Sequence, residues 1–320
     1  MSFSSDTKKE LTNDMPEKKC CMLAEIAGYM RVNGSIGLMG GGKVSAVITS
    51  ENPAVARHFK KMLKEYFNVK ANLEISKNNT FKKGNSYRLS IDEGNLAEKI
   101  LRETGILAVR EGSNVLRPDI PPDIIKKKCC KKAYLRGVFM GSGTISDPEK
   151  SYHLELVCNN EALANDLKKL VNSFGLNSKV VKRKNNYVVY MKEAEQIVDF
   201  LNIIGAYGPL LDIENVRVVK TMRNKANRIV NCESANVDKA IDAAARQIGN
   251  IKFIEETVGL SVLSEKLRKV AALRLENREL TLTELAELTD PPVSKSGINH
   301  RLSKINEFAE KLRGERMTTK

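Results

Sequence analysis

Two kinds of stretch in this sequence bring together residue types that can do chemistry. Gly137, Gly141 and Gly143, with Ser142 and Thr144 beside them, have the composition of a phosphate-cradling loop. Such a loop also needs a lysine ahead of its Ser/Thr and a strand opening into the glycine turn. The preceding residues supply neither: Ala133 and Gly137 lie four apart, with Leu135, Val138 and Phe139 around them, which is helical patterning. The second stretch is a pair of vicinal cysteine doublets, Cys20-Cys21 and Cys129-Cys130. Structural zinc commonly uses cysteines about two to four residues apart within each pair. Adjacent ones are therefore expected to pack as small apolar side chains, with no metal and no cofactor. Six cysteines without a secretory signal do not suggest a disulfide framework either.

The elements that must position these groups emerge when the chain is compared with itself. Lys18-Lys19-Cys20-Cys21 recurs as Lys127-Lys128-Cys129-Cys130, and Ala24, Gly28, Gly34, Ser35 and Ile36 recur as Ala133, Gly137, Gly143, Thr144 and Ile145, all offset by 109 residues. Further on, residues 52–67 run against 160–175 and 85–91 against 185–191, the first copy carrying an extra loop around 78–84. One unit is thus present twice, at about 18–108 and 127–207. Each copy reads helix, strand, strand, helix, strand, strand, helix. In the second these are a helix ending near Gly141, strands around 144–146, 151–159, 178–184 and 186–192, and helices after Asn160 and over 193–204.

IAGYMRVNGSI (26–36) and LRGVFMGSGTI (135–145) resemble two degenerate LAGLIDADG motifs, each heading an αββαββα unit as in single-chain homing endonucleases. The resemblance implies two motif helices side by side at a pseudo-twofold axis. Small residues four apart, Ala24 with Gly28 and Ala133 with Gly137, would permit that close approach. Phosphodiester cleavage requires hard divalent cations held by carboxylates that also position the attacking water. Active members of the family end each motif helix with an acid before the last glycine; here those positions are Asn33 and Ser142, and the sixth motif positions are Arg31 and Met140. A neutral amide and a neutral hydroxyl are poor Mg²⁺ ligands. Asn33 and Ser142 are accordingly assigned as vestigial metal positions, with no catalytic residue; Asp147, before Pro148, reads as a turn former.

The charge balance fits a nucleic-acid partner. The chain has 53 Lys+Arg against 39 Asp+Glu, a net charge of +14 and a pI near 9.4, an electrostatic footprint for polyanions that a merely basic, solvated surface would share. Residues 1–17 are expected as a flexible tail. No signal-peptide stretch or membrane span is visible, so the expected location is the cytoplasm, in association with the nucleoid. Residues 208–232 read as a basic linker, in helix or not, whose Arg217, Lys220 and Arg223 either track phosphates or keep the segment solvated. Val237, Ala240, Ile241, Ala244, Ile248 and Ile251 then form a stripe expected to face a core.

Short helices follow within an expected helical domain over 233–320. Ser264 is placed as an N-cap, Thr281 and Glu284 stand in capping-box register, and Asp290-Pro291-Pro292 stops the second helix. A third begins after Ser294, with Ile298, Leu302, Ile305, Ala309 and Leu312 on one face. A short helix, a turn and a longer helix, at about 281–313, form a helix-turn-helix pattern that any small bundle could mimic. Ser296, Asn299, His300, Ser303 and Lys304 point away from the apolar face and are types that bond base edges or phosphates; Lys295 and Arg301 are expected on phosphates.

The doubled LAGLIDADG-like unit followed by VSKSGINHRLSKINEFAEKL (293–312) resembles the WhiA family over nearly the whole chain. The expected fold class is α+β: two pseudo-symmetric αββαββα repeats and then an all-α helix-turn-helix domain. The resemblance implies a non-catalytic, sequence-specific DNA-binding regulator of Gram-positive bacteria, linked to cell division, chromosome segregation and sporulation. Its partner would be double-stranded DNA, with other transcription or division proteins as further candidates and no membrane or small-molecule substrate. An active homing endonuclease and an RNA-binding splicing cofactor remain as alternatives.

Overall fold

The computed structural model describes residues 2–38, 44–78, 84–92, 94–110 and 113–318. The insertion expected around 78–84 lies for the most part outside the described residues. Two compact units are present, Met1–Val219 and Lys220–Lys320.

The expected flexible tail is instead held in the first unit by helix α1 (Phe3–Leu11), capped by the Ser2 hydroxyl. Leu11 and Thr7 are fully buried, Ser4 exchanges hydrogen bonds with the backbone of Ile145, and the Glu10 carboxylate accepts from the Gly208 amide at 2.8 Å. The first repeat then runs α2 (Lys19–Asn33), β1 (Gly34–Leu38), β2 (Val44–Ser50), α3 (Pro53–Phe67), β3 (Asn72–Asn78), β4 (Gly84–Ile91) and α4 (Gly94–Glu103). A hairpin that the sequence did not announce, β5 (Leu107–Arg110) with β6 (Ser113–Leu116), intervenes. The second repeat is α5 (Lys128–Ser142), β7 (Gly143–Ile145), β8 (Leu154–Cys158), α6 (Glu161–Asn172), β9 (Lys179–Arg183), β10 (Asn186–Met191) and α7 (Ala194–Ile204).

The two sheets have the same antiparallel order, β1-β2-β4-β3 and β7-β8-β10-β9. Equivalent asparagines, Asn52 and Asn160, cap α3 and α6 by accepting backbone amides. At the centre, α2 and α5 lie side by side. A Cβ added to Gly28 would sit 2.2 Å from the Tyr134 carbonyl oxygen, and one added to Gly137 would sit 2.1 Å from that of Glu25. Only glycine lets the backbones meet at this distance.

This packing buries polar groups that must find partners inside. Glu25, fully buried, accepts from His58 Nε2 at 2.7 Å and lies 3.5 Å from Arg136 Nε. Arg136 also donates to the carbonyls of Leu11 and Asp14. Arg31 donates to the carbonyls of Arg117 and Gly105, tying α2 to both flanks of the hairpin. Its place in the motif is therefore structural.

The expected basic linker is continuous helix: α8 spans Tyr207–Val258. Val237, Ala240 and Ile241 of the expected core stripe are exposed, whereas Ile251 and Ile254 are buried. The helical spacing holds, but only the last turns of α8 contribute to the core of the second unit. That unit adds α9 (Glu265–Glu276), α10 (Leu282–Glu287) and α11 (Lys295–Thr318). No helix among the described residues is long and apolar enough to cross a membrane.

The glycine contact is directly testable. Gly137→Ala should cost about 3 kcal/mol, because the methyl meets a backbone carbonyl that cannot move aside. Gly249→Ala, with nothing within 4 Å of the added carbon, should instead stabilise α8 by up to about 1 kcal/mol. Urea unfolding of both variants beside the parent chain measures the contrast.

Candidate nucleic-acid interface

Local sequence chemistry sets the three helices of the second unit. The Thr281 hydroxyl accepts from the Glu284 amide at 3.4 Å while the Glu284 carboxylate accepts from the Thr281 amide at 2.7 Å, the reciprocal box expected from the sequence. That amide bond holds the Glu284 carboxyl below its ordinary range. Ser264 does stand at the N-cap of α9, but its side chain makes no capping bond. Buried Arg274 closes the loop between α9 and α10 by donating to the Leu280 carbonyl at 2.5 Å, a role no local pattern announced. The segment from Leu288 to Ser294 separates α10 from α11, and the Ser294 hydroxyl accepts from the Gly297 amide at 3.1 Å.

Helix α11 divides cleanly between two environments. Ile298, Leu302, Ile305 and Ala309 are buried with Leu285, Ala286, Val270 and Ile251, and Leu312 is half-buried. The other side carries Lys295, Ser296, Asn299, His300 and Lys304, all exposed, with Arg301 and Ser303 half-buried at its margins. The residues named from sequence as DNA contacts on this helix thus lie in its first three turns, exposed or half-buried. Their types offer amide, imidazole, hydroxyl and cationic donors in one patch.

The linker residues are placed differently. The Arg217 guanidinium donates to Glu214 at 2.6 Å and to Glu195 at 2.9 Å, so both arms of its fork are engaged by carboxylates of the first unit. Lys220 is half-buried and Arg223 exposed on α8.

Asn33 and Ser142 come together at the C-terminal ends of α2 and α5, where a cavity of 670 Å³ is lined by both and by Ser4, Lys8, Thr49 and Glu51 among others. Among the described residues lining it, Glu51 alone carries a carboxylate. The Asn33 amide donates to the Thr49 carbonyl at 2.6 Å and to the Tyr29 hydroxyl at 3.1 Å. The Ser142 hydroxyl is buried with no hydrogen-bond partner among the described residues. Burial pushes the Lys8 ammonium down to about 8, with the Glu51 charge pulling the other way. The contribution of α1 to this cavity had no signal in the motifs.

Comparison with known proteins gives the same division. Residues 19–107 match the WhiA N-terminal LAGLIDADG-like domain, 131–223 the WhiA LAGLIDADG-like domain, and 226–309 the WhiA C-terminal HTH domain. The chain is 48% identical over 315 residues to the "Probable cell division protein WhiA" of Alkaliphilus metalliredigens (strain QYMF), covering 98% of this chain and 99% of that one. The chain belongs to the WhiA family. Another WhiA relative, from Thermoanaerobacter sp. (strain X514), is 50% identical over 317 residues, 99% of this chain and 100% of that protein. The fold is similar to that of full-length DUF199/WhiA from Thermatoga maritima, with a TM-score of 0.60 and 25% identity over 97% of this chain and 99% of that one. The match to the WhiA C-terminal HTH domain accordingly covers α11 as far as residue 309, including its exposed polar patch.

Because the capping box sets the start of α10, Thr281→Ala should destabilise the second unit by about 1 kcal/mol. Thermal unfolding of the full chain, with the transition of the second unit followed separately, checks this.

Proposed function

We propose that this protein is a non-catalytic, sequence-specific regulator that reads double-stranded DNA with the exposed face of α11. The observation that carries the reading is that face: Ser296, Asn299, His300 and Ser303 lie opposite a fully committed apolar stripe, on the second helix of a helix-turn-helix. Asn299 is suited to pair bidentately with an adenine edge. Lys295, Arg301 and Lys304 clamp phosphates, with Lys220 and Arg223 as further contacts along α8. Arg217 joins them only where DNA displaces its carboxylate partners.

The LAGLIDADG-like repeats serve as a basic platform of low sequence preference or a docking site for transcription and division proteins. Nuclease chemistry is absent in this reading, because Asn33 and Ser142 replace the paired acids and the Asn33 amide is spent on Thr49 and Tyr29. The name shared by its relatives, "Probable cell division protein WhiA", supports a role tied to division; chromosome segregation and sporulation follow from the family resemblance. The site of action is the nucleoid, in the cytoplasm.

Asn299→Ala should cost about 1–3 kcal/mol at the preferred site and relax specificity at one base position. Lys304→Ala should weaken all duplexes alike and lower the slope of log affinity against log salt by about 0.9. Salt titrations on specific and random duplexes separate the two effects. In the same samples, Mg²⁺ or Mn²⁺ should produce no cleavage of the preferred duplex; specific, chelator-sensitive nicking would contradict the non-catalytic reading.

A further inference from the structure

The vicinal cysteines were expected to pack without a metal, on the ground that neighbours in sequence chelate one ion poorly. The fold changes the terms of that argument. Two sequence doublets become one spatial cluster: the Sγ atoms of Cys20, Cys21, Cys129 and Cys130 all lie within 4.8 Å of one another, with Cys129 and Cys130 at 4.0 Å. Tetrahedral coordination at about 2.3 Å places thiolate sulfurs roughly 3.8 Å apart, so only small side-chain adjustments separate this cluster from a closed four-sulfur site. The geometry points to a structural zinc site, with these four cysteines as its complete ligand set.

Three features favour a single zinc ion. An iron–sulfur cluster interposes several metal ions between its cysteines and needs them farther apart. The four sulfurs belong to the first turns of α2 and α5, which begin on Lys18 and Lys127 with no side-chain cap. Two positive helix ends therefore meet where the thiolates would gather. A zinc ion with four thiolates carries two net negative charges, and Lys18, Lys19, Lys127 and Lys128 flank the doublets in sequence. Cys21 and Cys130 are buried and Cys20 and Cys129 half-buried, which suits a closed structural site rather than one open to substrate. The ion would clip the two repeats together at the opposite end of α2 and α5 from Asn33 and Ser142.

The test is the metal content of the full-length chain, purified under reducing conditions from zinc-replete cells. One zinc per chain is expected, lost in Cys20→Ser/Cys129→Ser and kept in Cys232→Ser, whose cysteine is exposed on α8. The stripped parent chain should also take up Co²⁺ with the intense thiolate charge-transfer and tetrahedral visible bands of a four-sulfur site, a readout that does not depend on a variant folding. Four free thiols with neither zinc nor the Co²⁺ spectrum, native disulfides among these residues, or iron in place of zinc would overturn the assignment. So would zinc retained in full by the double variant.

Discussion

Two backbone carbonyls, those of Glu25 and Tyr134, occupy the space that side chains at positions 137 and 28 would fill. The rest of the first unit follows from this contact. It fixes α2 and α5 side by side along their full length, so their sulfurs collect at one end and Asn33 and Ser142 at the other. It also buries polar groups of both helices, Glu25 and Arg31 among them. Buried Glu25 meets His58 at 2.7 Å and Arg136 at 3.5 Å, and Arg31 donates to the carbonyls around the hairpin. A buried charge with one partner removed is costly, which makes these groups constraints on how far the repeats can diverge from each other.

The second unit is organised by a different economy of contacts. Its helices share a small apolar core, and the function proposed for it rests on side chains that contribute nothing to that core. The excess of positive charge acts at longer range, raising the local concentration of a polyanion whatever its sequence. In the proposed reading, discrimination comes from a few uncharged donors on α11, because phosphates are the same at every site. On that proposal the two units divide the physical tasks: a doubled scaffold, and a helix whose outer face is read against base edges.

Much of this was legible in the sequence. The repeat was visible because both copies need small residues at the same helical positions and the same asparagine caps. The helix-turn-helix showed through its capping box and the spacing of Ile298, Leu302, Ile305 and Ala309. What stayed hidden depends on contacts distant in sequence. Helix α1 is ordered by Ile145, Asn52 and Gly208, none of them near it in the chain. The length of α8 is obscured because its middle is exposed on every side, apolar Met222, Ile229, Val230 and Val237 included, so no buried stripe marks it. Spacing within each doublet argues against a chelate, and only the side-by-side packing of α2 and α5 turns two poor chelators into one four-sulfur set.

Sequence recognition is proposed to reside in the exposed face of α11. Genome-wide crosslinking of the full chain, compared with a chain in which Ser296, Asn299 and Ser303 are all alanine, tests it most directly. These positions lie outside the core, so the variant should fold and bind DNA at low salt. The account predicts that discrete sites of enrichment disappear while diffuse occupancy persists. An unchanged set of sites would place sequence recognition elsewhere in the molecule and contradict the account.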